Sequence, residues 1–134
     1  MAYKVLVIDD EPDVVKYLES VLTDDGYEVK FSYEGDAGFD IARKWSPHVI
    51  CLDIMMPRQS GLSIFRKFKA DDLTKAIPVI ILTGIEKGDG FDFNKWVGDD
   101  SLKPPEVFME KPIKIKNFLE TVAGLIVAGK VNSK

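Results

Sequence analysis

Two apolar runs in this sequence end on acids. Residues 3–13 read YKVLVIDDEPD, so that Asp9, Asp10 and Glu11 follow a strand-like stretch without a break, and HVICLD at 48–53 closes on Asp53. Two further runs end on residues of other types: IPVIILT at 77–83 on Thr83, and EVFME at 106–110 directly before Lys111. Carboxylates gathered within about 5 Å repel by roughly 3 kcal/mol per pair at an effective dielectric near 20. Two remedies exist. Protons can be taken up, which raises the pKa values, or a hard divalent cation can sit among the oxygens. Magnesium suits such a place, because it prefers oxygen ligands, keeps several waters and is held by one or two carboxylates plus a phosphate. A hydroxyl and an ammonium nearby would add a donor and a positive charge. Carboxylate, cation, hydroxyl and ammonium together can stabilise a phosphoryl group in transit, and a carboxylate can itself be the nucleophile that forms an aspartyl phosphate.

Taken singly, each residue has a plainer use. A strand-end Asp commonly serves a turn or a helix cap, and acids before Pro12 suit the start of a helix dipole. Thr83 fits a strand as a β-branched residue, and Lys111 fits a solvated surface. The chemical reading depends on their meeting at one place, which is a matter of the elements that carry them.

Those elements alternate. The spacing predicts strands over 3–8, 27–32, 48–53, 77–83 and 106–110, with helices over Pro12–Asp24, Glu34–Lys44, Ser60–Lys69 and Ile115–Ala128. Pro12 suits a first helical position and Gly26 a stop; Pro47 ends the second helix and Ser60 is a cap for the third. The expected inward residues are Val14, Val15, Leu18, Val21 and Leu22, then Ala37, Phe39, Ile41, Ala42 and Trp45, then Leu62, Ile64, Phe65 and Phe68, and finally Phe118, Leu119, Val122, Leu125 and Ile126. Continuously apolar strands indicate a parallel sheet covered on both faces, hence a five-stranded doubly wound α/β fold. Ligands of such folds bind beyond the carboxyl ends of the strands, where Asp9, Asp10, Asp53, Thr83 and Lys111 all fall.

The bulk numbers agree. A chain of 134 residues, 46% hydrophobic and 30% charged, suits one globular domain. No run approaches the roughly 18 apolar residues of a membrane span, and no signal peptide opens it, so a cytoplasmic location and no membrane partner are expected. The single cysteine, Cys51, excludes an internal disulfide and a cysteine-based zinc site, and reads as an inert strand residue. A net charge of −4 argues against a nucleic-acid partner. The one histidine, His48, opens a buried strand and reads as structural.

With these residues placed, the chain resembles the receiver domain of bacterial two-component response regulators over nearly its whole length, through VLVIDDEPD at 5–13, LDIMMPRQSG at 52–61, VIILTG at 79–84 and MEKPI at 109–113. The resemblance implies a flavodoxin-like doubly wound sheet of order 2-1-3-4-5, a receiver domain over 1–129 and a tail over 130–134. It implies Asp53 as phosphoacceptor, and magnesium held by Asp10, by Asp9 acting largely through water, by Asp53 and by the backbone carbonyl of Met55. Thr83 and Lys111 would bond the phosphoryl oxygens, and Phe108 would be the switch aromatic. Pro57 and Gly61 sit at the family's places after the acceptor, and Lys111-Pro112 resembles its often cis pair. The implied donor is a histidine kinase or histidine phosphotransfer protein. The implied readers are an unspecified downstream protein and, as a further arrangement, a second copy of the chain. On this reading the protein is a signalling switch rather than an enzyme with a separate substrate, and it stands alone or forms part of a larger regulator.

One stretch departs from the family pattern. Between Thr83 and Lys111 lie Gly84, Gly88, Gly90, Gly98, Pro104 and Pro105, which disfavour a long helix, so the family's fourth helix is expected to be remodelled or missing. One or two turns near Phe93 to Val97 are the most it would hold. Phe91, Phe93 and Trp96 are expected to pin this segment to the sheet or to form a partner surface, whereas Asp89 and Asp92 do not match a calcium loop. Lys114 and Lys116 at the start of the last helix are read as solvated. Three other functions fit these residues less well. A phosphatase or phosphotransferase of the haloacid-dehalogenase type wants Asp-x-Asp after strand one, where this chain has adjacent acids. A flavodoxin-like cofactor carrier wants a Ser, Thr or Gly-rich loop there, and a partner-binding pseudo-receiver would not need the complete acid, Thr and Lys set.

Overall fold

The computed structural model describes residues 2–54, 61–84 and 105–132. Five strands form one sheet: β1 (Lys4–Ile8), β2 (Glu28–Ser32), β3 (Val49–Asp53), β4 (Val79–Thr83) and β5 (Val107–Glu110). All neighbours pair in parallel, in the order β2-β1-β3-β4-β5. Among the described residues four helices cover it: α1 (Pro12–Asp24), α2 (Gly35–Trp45), α3 (Gly61–Ala70) and α4 (Ile115–Asn132). The expectations for the family's fourth helix, for Phe91, Phe93, Trp96, Asp89 and Asp92, and for Met55, Pro57 and the Ser60 cap lie outside the described residues.

Side chains alternate across each strand, and the two faces of the sheet build two cores. Val5, Val7, Val49, Cys51, Ile80 and Leu82 pack with Val15, Leu18 and Leu22 of α1 and with Phe118, Val122 and Ile126 of α4. Leu6, Ile8, Ile50, Leu52, Val79 and Ile81 pack on the other side with Ala42 of α2 and with Ile64, Phe65 and Phe68 of α3. Each fully buried large apolar side chain contributes about 1.5–3 kcal/mol over exposure. The predicted inward faces hold except at Ala37, which is exposed. Gly38 takes its place against the sheet, where an added Cβ would lie 2.5 Å from Ile8 Cδ1. That contact rewards the absence of a side chain, which apolar periodicity cannot register.

Helix ends follow local chemistry. At the end of α1, Gly26 adopts φ 92°, and the Tyr27 N–H returns to the Leu22 carbonyl at 3.0 Å. Helix α2 ends one residue later than expected, with Ser46 left-handed at φ 53° and its N–H on the Ala42 carbonyl. The last helix runs on to Asn132, past the expected Ala128.

At the amino edge of the sheet, the Lys69 side chain is buried rather than on the outer face of α3. Its Nζ donates to the Ile77 carbonyl at 3.3 Å and lies 3.5 Å from Glu106 Oε1, which itself accepts the Val79 N–H at 2.8 Å. His48 is structural, as expected: Nδ1 accepts the Lys4 N–H at 3.0 Å and the ring stands edge-on to Tyr3. Burial, reinforced by the Lys4 charge, lowers its pKa below the ordinary 6.5. The neutral ring is therefore favoured by folding. Its contribution is present above pH 6.5 and is lost as pH falls through the depressed value. Because the chain has a single histidine, proton NMR of its ring resonance should give a titration midpoint below 6.5; a midpoint at or above that value would contradict the Nδ1 bond.

Candidate functional site

Parallel register carries the strand-end residues to one edge. Ile8 pairs with Leu52, Asp53 with Leu82, and Thr83 with Glu110. Beyond the last pairs the ladder continues: the Asp9 N–H donates to the Ser32 carbonyl at 3.1 Å and the Lys111 N–H to the Thr83 carbonyl at 2.8 Å. Alternation then sorts the side chains by face. Asp9, Asp53 and Lys111 share the parity of Val7, Cys51 and Met109, on the face of α1 and α4. Thr83 and Phe108 share the parity of Ile81, and Phe108 packs, half-buried, against the core under α2 and α3.

The acids converge. One carboxylate oxygen from each of Asp9, Asp10, Glu11 and Asp53 lies within 4.8 Å of the others. Asp9 and Asp53 are buried, Asp10 is half-buried and Glu11 is exposed. Asp9 Oδ1 accepts the Glu11 N–H at 3.0 Å, which bends the chain into α1. Lys111 Nζ sits over the group, 2.9 Å from Glu11 Oε1, 3.0 Å from Asp9 Oδ2 and 3.6 Å from Asp53 Oδ2. Burial alone would favour the neutral amine, but the hydrogen bonds it donates to Glu11 and Asp9 and the charges of Asp53 and Asp9 outweigh it and hold the Lys111 pKa above its ordinary value. Four carboxylates thus gather around the Lys111 ammonium. An all-oxygen donor set of this span and charge fits a hard divalent cation such as magnesium, with Asp9, Asp10, Glu11 and Asp53 offering the ligand atoms.

Two supports were not assigned from sequence. Tyr17 on α1 donates its hydroxyl to the Ile113 carbonyl at 3.2 Å, tying the helix to the segment after Lys111, whose bond to Pro112 is cis. Gly61 starts α3 against the acceptor strand: a Cβ there would overlap the Ile54 Cα and the Asp53 carbonyl oxygen. Its place in LDIMMPRQSG was visible, but the close approach that requires it was not. Of the predicted site residues, Asp9, Asp10, Asp53 and Lys111 are brought together, with Glu11 added. Thr83 is buried at the end of β4 on the opposite parity. Cys51 is buried, and burial pushes its thiol up to about 12, which leaves it inert as expected.

A doubly wound parallel sheet with an acidic, lysine-capped cluster at its carboxyl edge defines the class of this α/β protein. More particularly, the chain belongs to the response regulator receiver domain family, whose model matches residues 5–123. It is 36% identical to the response regulator ArlR of Staphylococcus haemolyticus over 122 residues, which is 91% of this chain and 52% of ArlR. It is 38% identical to the response regulator PleD of Caulobacter vibrioides over 90 residues, which is 66% of this chain and 20% of PleD. The chain thus spans from a fifth to about half the length of these two curated relatives. In fold it is similar to a CheY-like receiver domain protein from Methanospirillum hungatei JF-1, at a TM-score of 0.82 and 18% identity, covering 97% of this chain and 98% of that one. Receiver domains of two-component systems are signalling domains that typically bind magnesium at an acidic cluster. Among the described residues no helix is long and apolar enough to cross a membrane.

The contact at Gly61 makes a stability prediction. Gly61→Ala must push the start of α3 off the backbone at Asp53 and Ile54, and should cost about 1–3 kcal/mol in urea unfolding. Unchanged stability would mean that the helix start is not tightly seated.

Proposed function

We propose that this receiver accepts a phosphoryl group on Asp53 from the phosphohistidine of a histidine kinase or phosphotransfer protein, and that the modified state is read by a downstream protein. The observation that carries the reading is the position of the Asp53 carboxylate: buried at the end of β3, inside an acid cluster and 3.6 Å from the Lys111 ammonium. In the transfer, a carboxylate oxygen of Asp53 attacks phosphorus in line, the bond from phosphorus to the imidazole nitrogen of the donor breaks, and the electron pair leaves with the imidazole. Lys111, whose Nζ lies 3.0 Å from Asp9 Oδ2 before transfer, offsets charge on the phosphoryl oxygens. Asp9, Asp10 and Asp53 would hold magnesium, together with the Met55 carbonyl, which lies outside the described residues. When bound, the cation neutralises acid charge and the charge that develops on the phosphoryl oxygens.

The product carries about two negative charges at the sheet edge, about one more than the carboxylate it replaces. In this reading the Thr83 hydroxyl bonds the new oxygens and Phe108 repacks on the same face, so that the charge change is converted to a change of surface. This is a two-state response, and the partner shifts the balance by binding one state more tightly. The protein acts in this scheme as a switch, with no separate substrate to turn over.

Incubation with acetyl phosphate and magnesium should add one phosphoryl group per chain by intact mass. Asp53→Asn should take up none, and removal of magnesium with a chelator should suppress labelling of the unaltered protein. Equal labelling of Asp53→Asn would defeat the assignment of the acceptor. Magnesium should also shift the backbone amide resonances of Asp9, Asp10 and Glu11. Asp10→Asn should weaken that binding about tenfold or more, since even outer ligands change metal affinity by about 10–100-fold.

A further inference from the structure

Glu11 is placed as no helix-starting acid needs to be. It is the N-cap of α1, yet its side chain makes no capping hydrogen bond. The carboxylate instead crosses to a residue one hundred positions away, and Glu11 Oε1 is the nearest acid oxygen to Lys111 Nζ, at 2.9 Å. The Glu11 backbone is fixed for this by its N–H bond to Asp9 Oδ1. Asp53, the group that Lys111 must serve, is the farthest of the three acids, at 3.6 Å. That separation is beyond the usual 2.7–3.2 Å of an N–H···O bond. The two closer acids therefore hold the ammonium off the acceptor. They differ in environment: the Asp9 side chain is 0% exposed, the Glu11 side chain 59%. A pair with an exposed carboxylate is weak and easily exchanged, so Glu11 is the partner that can be displaced.

Resting on the phosphoacceptor reading above, we propose that Glu11 is a competing counter-ion for Lys111, a positioning residue that slows modification of Asp53 by small anionic phosphodonors and shortens the life of the phosphorylated state. Two effects act in the same direction. An incoming dianionic donor meets the exposed Glu11 charge at the mouth of the site, and the phosphoryl oxygens must draw Lys111 away from Glu11 to be paired. With acetyl phosphate the reaction is balanced without a further reagent: the Asp53 oxygen forms a bond to phosphorus, the phosphorus bond to the acetyl oxygen breaks, and acetate leaves with the electron pair.

The test compares the unaltered protein with Glu11→Gln, which keeps size and removes charge. Initial rates of labelling by acetyl phosphate are read by intact mass over a range of donor concentrations, each protein at its own saturating magnesium. The magnesium midpoints are measured separately by amide NMR, because Glu11 also offers an oxygen to the acid cluster. Glu11→Gln should label faster by about two- to fivefold, the range expected of one exposed ion pair, mainly through a lower half-saturating donor concentration. The gain should shrink as ionic strength rises, since screening weakens exposed charges. After the donor is removed, the label should persist longer than in the unaltered protein. Glu11→Asp, which keeps the charge on a shorter arm, should return the rate toward the unaltered value. A Glu11→Gln protein that labels at the same rate or more slowly, or whose gain does not respond to salt, overturns the proposal. If the unaltered protein takes up no label at all, it is the phosphoacceptor reading that fails.

Discussion

Crowded negative charge at the end of a buried sheet is the constraint from which the rest of this molecule follows. Asp9 and Asp53 are out of contact with solvent, and with Asp10 and Glu11 they place four carboxylate oxygens within 4.8 Å. At that spacing each ionised pair repels by about 3 kcal/mol at an effective dielectric near 20. Such an arrangement persists only because the strands beneath it are held rigidly by two cores. Val5 to Ile8, Val49 to Leu52 and Val79 to Leu82 are all fully buried, so the energy of two apolar faces holds the acids in place. The stability of the domain and the reactivity of its edge are thus opposed, and the first makes the second possible.

The parity of the strands adds a second consequence. Asp9, Asp53 and Lys111 belong to the face of α1 and α4, whereas Thr83 and Phe108 belong to the face of α2 and α3. A site assembled at the rim therefore touches both layers. A new group on Asp53 would meet Lys111 from one layer and Thr83 from the other, and any displacement of Thr83 would be felt along β4 and at β5, which is its neighbour in the ladder. Coupling between layers needs no special pathway here; it follows from residues of opposite parity ending at one edge.

Much of this was legible in the sequence, for a definite reason. Apolar runs without alternation have one physical meaning in a chain of alternating helix and strand, and the run ends mark the sheet edge to within a residue or two. The strand expected over 48–53 is found at Val49–Asp53, and the helix expected from apolar residues at helical spacing is found at Pro12–Asp24. What escaped were properties of contacts between distant segments. Gly38 displaces Ala37 from the sheet because Ile8 lies too close for a Cβ. Lys69 looks like an outer-face residue of α3, and its burial depends on Ile77 and on Glu106, far along the chain. Glu11 was visible as a third acid, but its pairing with Lys111 required the fold. Pattern reports the face of an element; it does not report which charge will find which.

The two edges of the sheet treat charge in opposite ways. At the amino edge the Lys69 ammonium has a carbonyl and a carboxylate, the carboxylate also accepts the Val79 N–H, and Lys4 Nζ donates to the Trp45 carbonyl at 3.0 Å. Charge there is spent on fastening α3, β4 and β5 together, and little would be gained by adding more. At the carboxyl edge the carboxylates of Asp9, Asp10, Glu11 and Asp53 crowd together around the Lys111 ammonium, so the local energy is sensitive to any cation or anion that arrives. An edge already neutralised resists a change of charge, whereas an edge crowded with acids is sensitive to it.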